Sequence, residues 1–329
     1  MTAVVQIVPH LPPPPEGVGS YALALADALR NRRGIESAFV SAAALPARTP
    51  EDLRDALGTA AVALLHYAGY GYHPRGCPGW LVEGLEGWNG RLVTAFHEVW
   101  ATGLPWRSSF WLSPRQRSLA GRLARRSDGL VTSMALYRRR LLRHAPGRET
   151  AVLPVFSTVG EPAEVPPLGE RAPRLVLFGG PGVRGRAYRY LGAAIARTCE
   201  TLGLREIWDI GPAAAETPER IAGRPVRRLG PLPAAEVSRA LLAATAGFVS
   251  YPASFLAKST IFAAYCSHGM LPASAWPRPR RQVEPPPPFW QPAAADRHDP
   301  QEVADRARDW YRSHTLERSA DIYGRLLLA

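Results

Sequence analysis

Residues 175–210 read LVLFGGPGVRGRAYRYLGAAIARTCETLGLREIWDI. The apolar run 175–178 predicts a buried strand, the glycines of 179–186 a turn, and 187–202 a helix. Residues 206–210 predict a second strand, ending in Gly211-Pro212. Strand, crossover helix and strand within so short a span make a βαβ unit, and such units build parallel sheets. The alternation continues on both sides. Downstream, strands are expected at 226–229, 247–251 and 270–273, with helices over 234–243 and from a turn at 252–254 through about residue 267. A Pro/Arg-rich loop over 278–288 and a mostly helical stretch from Gln301 follow. Upstream, strands are expected at 4–11, 62–67, 92–96, 129–132 and 151–156. Helices are expected after Ser20, over 80–88, up to about residue 126, and over 135–143. A Pro-, Gly- and Glu-rich stretch, 160–173, separates the two series, and no fixed-period repeat is present. The expected class is α/β, with two successive domains.

Composition agrees with that size. The chain has 329 residues, 46% of them hydrophobic, enough for two ordinary domains and too apolar for a disordered chain. No apolar run reaches the ~18–20 residues of a membrane-spanning helix. The N-terminus lacks the basic region of a secretory signal. Three scattered cysteines, Cys77, Cys199 and Cys266, form no CxxC pattern and suit a reducing compartment, so a cytoplasmic protein is expected. Lysine plus arginine exceed aspartate plus glutamate, 40 against 28, a balance of +12 that attracts polyanions: nucleic acid, phosphorylated ligands or an anionic membrane face. Arginine knots at 122–126 and 138–143 fall on predicted helices, where a solvated face is the plain alternative. No zinc-finger or RNA-binding motif accompanies them, so no specific nucleic-acid partner is expected. Lys258 is the only lysine, which suggests a place where a compact ammonium is wanted.

In an α/β protein the chemistry sits where strands end and helices begin. After the first strand, Gly17 and Gly19 allow close backbone approach to a ligand, or simply make a turn; the spacing is not that of a dinucleotide site. In 179–186, Arg184 and Arg186 are placed to bond phosphate oxygens beside backbone amides, and the Gly-Lys-Ser/Thr ending of a P-loop is missing. Lys258, Ser259 and Thr260 open a helix and make a plausible diphosphate cradle without a metal. His97-Glu98 ends a buried strand and lacks the HExxH spacing of a zinc protease. Tyr70 and Trp106 stand out from the aromatic segments as pocket candidates, although aromatics more often belong to a core.

The residues resemble the GT-B glycosyltransferases, in particular those similar to family 4. EGVGSYALALADALR (16–30) resembles that group's first glycine turn and helix, and LVTAFHEVW (92–100) its strand ending in histidine and an acid. GLVTSMALYRRRL (129–141) and LPVFSTVGEP (153–162) resemble the later part of its first domain. LFGGPGVRGR (177–186) takes the place of the loop with basic donor-phosphate residues, and 226–252 that of the stretch framing the nucleoside. DWYRSHTLERSADIYGRLL (309–327) looks like the C-terminal helix that crosses back to the first domain. The resemblance implies two Rossmann-like domains facing each other across a crevice: residues 1–158 on the acceptor side, 172–305 holding the nucleotide-sugar donor, and a helix over 306–329 packing back on the first.

It further implies transfer of a sugar from a nucleoside-diphosphate donor to a hydroxyl, without a metal or other cofactor and with retained configuration. His97, Gly17 and Gly19 would then lie at the reacting centre, Arg184, Arg186, Gly211, Lys258, Ser259 and Thr260 on the donor, and Tyr70 and Trp106 on the acceptor. The Arg-rich helices add a possible peripheral membrane contact. One departure stands out. The two glutamates that the group carries eight positions apart fall on Leu256 and Ala264, counted back from Gly269. The rival expectations are a non-catalytic protein of the same fold, binding a nucleotide sugar or partnering a real transferase, and a nucleic-acid binder.

Overall fold

The structure, a computed structural model, describes residues 2–12, 17–215, 217–276, 284–292 and 298–329. The chain divides into two compact units, residues 1–154 with 316–329, and residues 155–315.

The first unit is built on a six-stranded parallel sheet in the order β2-β1-β3-β4-β5-β6. Its strands are β1 (Thr2–Val8), β2 (Ile35–Ser41), β3 (Val62–Tyr67), β4 (Arg91–Phe96), β5 (Gly129–Thr132) and β6 (Thr150–Val152). β3, β4 and β5 are apolar almost throughout and buried almost throughout, as strands covered on both faces must be. Helices α1 (Gly17–Arg33), α2 (Pro50–Leu57), α3 (Gly69–Tyr72), α4 (Gly79–Glu86), α5 (Ser108–Arg126) and α6 (Ala135–Leu142) connect them. Thr49 and Asp52 exchange side-chain and backbone hydrogen bonds at the start of α2, satisfying donors that the first turn leaves without a partner.

The second unit repeats the plan with the order β12-β11-β7-β8-β10-β9. β7 (Ala172–Phe178), β8 (Glu206–Ile210), β10 (Arg224–Gly230), β11 (Ala244–Phe248) and β12 (Leu271–Ala273) are parallel, and β9 (Arg220–Ile221) is an antiparallel edge. α7 (Pro181–Thr201), α8 (Ala234–Leu242), α9 (Thr260–Ser267) and α10 (Pro300–Arg312) complete it. Leu175, Leu177, Ile195, Ile207 and Phe248 form its core, each stabilising the fold by about 1.5–3 kcal/mol on burial.

Several expectations shift. α7 starts at Pro181, where the sequence suggests a turn lasting to residue 186. α1 starts at Gly17, so Ser20 lies inside it and does not cap it. The strand expected at 151–156 stops at Val152, and the one expected at 247–251 occupies Ala244–Phe248. The C-terminal stretch is two helices. α10 belongs to the second unit, and α11 (Leu316–Leu328) to the first, where Tyr323 hydroxyl lies 3.3 Å from that of Tyr21 on α1. The division thus falls at 154/155 and 315/316, where 158 and 306 are expected. Most of the Pro/Arg-rich loop expected at 278–288 lies outside the described residues.

Candidate functional site

In the second unit the strand order reverses between β7 and β11: the chain runs outward through β8 and β10, then returns to the other side of β7. Open α/β sheets bind ligands outside the carboxyl ends of the strands at such a point. Gly179 leaves β7 at φ +124°, and a Cβ there would run into the side chain of Ile261. Ile261 is the second residue of α9, directly after Thr260. The glycine segment after β7 and the Lys258-Ser259-Thr260 segment, far apart in sequence, therefore meet at one sheet edge. Gly211 leaves β8 at φ +139° with its Cα against the Gly179 carbonyl, where no side chain fits.

Arg184 and Arg186 are both on the first turns of α7, and two residues apart on a helix they point to opposite sides. Arg184 points inward and is 1% exposed. Its guanidinium donates to the Gly179 carbonyl at 2.8 Å and to that of Pro212, and pairs with Asp209 of β8. The other Asp209 oxygen accepts the Tyr188 hydroxyl at 2.5 Å. The expectation that Arg184 binds donor phosphate is corrected: each of its three nitrogens donates inside the unit and the side chain is buried, tying α7 to the ends of β7 and β8. Arg186 is exposed.

Lys258 is half-buried at the end of a 3-10 turn, Ala253–Lys258, its ammonium 6.0 Å from the Phe255 ring centroid. Ser259 is buried and caps α9, its hydroxyl accepting the Phe262 N–H at 3.2 Å; Thr260 is partly exposed. Ser250, just beyond β11, donates to the Val183 carbonyl at 2.8 Å and so ties that strand end to α7. Leu256 and Ala264 are 0% exposed and belong to the core, so no carboxylate occupies either place.

In the first unit, Gly17 opens α1 at the surface, with open space where a Cβ would stand. Gly19 is buried, and a Cβ there would strike the His10 carbonyl, so its smallness serves the packing of α1 on the segment after β1. His97 follows β4 and closes a polar chain across the sheet. Gln6 of β1 donates from Nε2 to Ser37 of β2 at 2.9 Å, and its Oε1 lies 2.8 Å from His66 Nε2. An amide oxygen only accepts, so His66 Nε2 carries the hydrogen. Burial and the neighbouring His97 hold His66 well below the ordinary histidine pKa, and its neutral ring presents a lone pair at Nδ1. His97 Nε2, 3.2 Å away, is then the donor of the bond between the two rings. Tyr21 of α1 stands edge-on to His97 at 5.0 Å between centroids. Gln6, His66 and Tyr21 are missing from the sequence reading. A histidine and a glutamine inside otherwise apolar strands are the signal that points to them.

Tyr70 is on α3, its hydroxyl accepting from Gln116 Nε2 at 3.1 Å. Trp106 lies before α5 and is 77% exposed. Among the described residues no group of three His, Cys, Asp or Glu is placed to hold a metal ion.

No protein-family model matches this chain, and no curated protein matches it in sequence. Solved structures do match. An α,α-trehalose-phosphate synthase (UDP-forming) from Burkholderia vietnamiensis is 11% identical with a TM-score of 0.63, covering 100% of this chain and 97% of that one. An α-glucosyltransferase in complex with UDP-glucose and DNA containing an abasic site is 9% identical, with a TM-score of 0.61 and 98% of each chain covered. AviGT4, a glycosyltransferase of avilamycin A biosynthesis, reaches 18% identity at a TM-score of 0.56, over 100% of this chain and 98% of that one. The fold is GT-B. At such identities the likeness carries the fold alone, and on a GT-B fold an activity has to be argued from the residues at the strand ends.

Proposed function

We propose that this chain is a glycosyltransferase that moves a sugar from a nucleoside-diphosphate donor, UDP in the first instance, to an acceptor hydroxyl. The observation that carries the reading is the convergence at the β7/β11 edge. Gly179, the start of α7 and the start of α9 meet there, with Lys258 and the exposed Arg186 as cations. Helix N-termini and a point charge suit a diphosphate, and the nucleotides named in the similar structures are UDP and UDP-glucose.

In this reading the second unit holds the donor, with Gly211 letting the end of β8 close on the Gly179 carbonyl beside the nucleotide. The bond from the anomeric carbon to the diphosphate oxygen breaks and its electron pair leaves with the diphosphate, while the acceptor oxygen bonds that carbon and its proton passes to the departing diphosphate. Lys258, Arg186, the Thr260 hydroxyl and the first backbone N–H groups of α9, at Thr260 and Ile261, stabilise that charge. No metal is assigned a part. His97, oriented by its bond to His66, is the polar group assigned to the donor sugar. Gly17 keeps the α1 terminus clear of side chains near the reacting atoms, and Gly19 sets that terminus by letting α1 pack on the segment after β1. Tyr70 and Trp106 serve the acceptor, and retention of configuration with no covalent intermediate completes the scheme. The chain is proposed to act in the cytoplasm.

A second reading rests on Leu256 and Ala264. Two core apolar residues where a carboxylate pair is expected favour a protein that binds a nucleotide sugar without transferring it. Calorimetric titration of UDP and of uridine into wild type and Lys258→Ala tests the shared donor site. The variant is expected to bind UDP at least tenfold more weakly and uridine unchanged. Equal losses for both ligands would remove Lys258 from the diphosphate. Release of UDP from UDP-sugars over a panel of acceptors then separates the two readings.

A further inference from the structure

Between Glu98 and Glu149 the chain carries eleven arginines and a single carboxylate, Asp128. Among the described residues only two of these arginines have a carboxylate partner: Arg122 pairs with Glu86, and Arg126 with Asp128. Arg107, Arg115, Arg117, Arg138, Arg139 and Arg143 are exposed. The cluster is one face, because α5 and α6 meet at Trp100: Arg117 of α5 and Arg140 of α6 stand over its ring at 5.8 and 5.6 Å, with His144 edge-on at 5.8 Å. Beside it, apolar side chains turn outward within eight residues: Leu104, Trp106, Phe110 and Trp111, the last 72% exposed. Phe110, Pro114 and Arg117 follow one another at helical spacing, so apolar and cationic groups share a stripe of α5. Gln116 holds this loop in place, accepting the Ala101 N–H at 2.8 Å and donating to the Arg75 carbonyl at 2.9 Å.

Cations alone suit any polyanion, and exposed aromatics alone suit many partners. Leu104 and Phe110 have nothing to offer a phosphate backbone. Tryptophan next to arginine is the combination that a bilayer interface takes up, with rings at the acyl boundary and guanidinium groups among anionic headgroups. We propose that residues 104–117 together with the outer face of α6 form a docking surface for a bilayer rich in anionic phospholipid. The docking stands apart from the donor site. Its consequence, an acceptor met at the membrane surface, rests on the transferase reading above.

The test is sedimentation of the full chain with phosphatidylcholine vesicles and with vesicles in which about a third of the lipid is phosphatidylglycerol, whose negative surface attracts basic segments. Wild type is compared with Trp106→Ser/Trp111→Ser and with Arg138→Gln/Arg139→Gln, all at exposed positions. The proposal expects binding to the anionic vesicles only, weakened by salt. It expects a loss of at least tenfold in the arginine double variant, given roughly fivefold per arginine, and a clear loss in the tryptophan double variant as apolar area leaves the interface. Failure to bind, equal binding to both compositions, or binding that ignores both variants would overturn it. So would a dimer, or binding to a single-stranded DNA oligonucleotide, that the tryptophan variant abolishes while vesicles stay unbound. UDP titrations on the same preparations separate this outcome from a failure of the donor site.

Discussion

Arg184 and Arg186 show how little separates a ligand-binding arginine from a structural one. Both follow the glycines after β7, and from sequence alone both suit a phosphate. About half a helical turn decides between them: Arg184 faces Asp209 and two backbone carbonyls, and Arg186 faces solvent. Arg184→Ala leaves the buried Asp209 carboxylate with only the Tyr188 hydroxyl, and by the usual cost of such an orphan it should lower stability by about 3–5 kcal/mol. Arg186→Ala should change stability by less than about 0.5 kcal/mol, yet weaken UDP binding severalfold. Chemical denaturation and a UDP titration on both variants read the contrast; matching stability losses would contradict it. Ser259 teaches the same lesson in a milder form. Its place at a helix start is visible in the sequence, but its hydroxyl oxygen already serves Phe262 N–H.

At the scale of elements, the strands Val62–Tyr67, Gly129–Thr132 and Glu206–Ile210 lie where the sequence places them, because continuous apolar runs between turn residues have few other readings. β2 is missing from that reading: it is an edge strand, only partly buried, and IESAFVS has neither a continuous apolar run nor clean alternation. α2 is missing too, although Thr49-Pro50-Glu51-Asp52 holds its capping residues. α7 reads late because Gly182 and Gly185 look like a turn, while Pro181 at its first position is the true start signal. For the site, the strand ends and their glycines are legible, since they follow from where apolar runs stop. The Gln6–His66–His97 chain is not, because it joins three strands whose adjacency no local pattern reveals.

For the whole molecule, three buried histidines set the response to acid. His66 is held well below the ordinary value by burial and by His97, His268 is lowered to about 4 and His314 to about 3, in both cases chiefly by burial. Each stays neutral in the folded chain while the unfolded chain takes up a proton near pH 6.5. The stability they confer is therefore complete above that pH and is lost as the pH falls through it. From pH 7 to 5 His268 and His314 should each cost the second unit about 2 kcal/mol, and His66 should destabilise the first unit in the same direction. Urea midpoints at the two pH values check this, and unchanged midpoints would contradict it. The excess of 12 positive charges is concentrated near α5 and α6 of the first unit, and the diphosphate site proposed here is in the second. The most direct measurement of the central claim is the melting temperature with UDP, UDP-glucose or uridine, each with EDTA present. A ligand of the folded state raises the melting temperature by mass action. A rise with UDP and UDP-glucose that EDTA leaves intact, and that uridine at the same concentration does not reproduce, is the predicted result. A melting curve that neither UDP nor UDP-glucose moves would contradict the account.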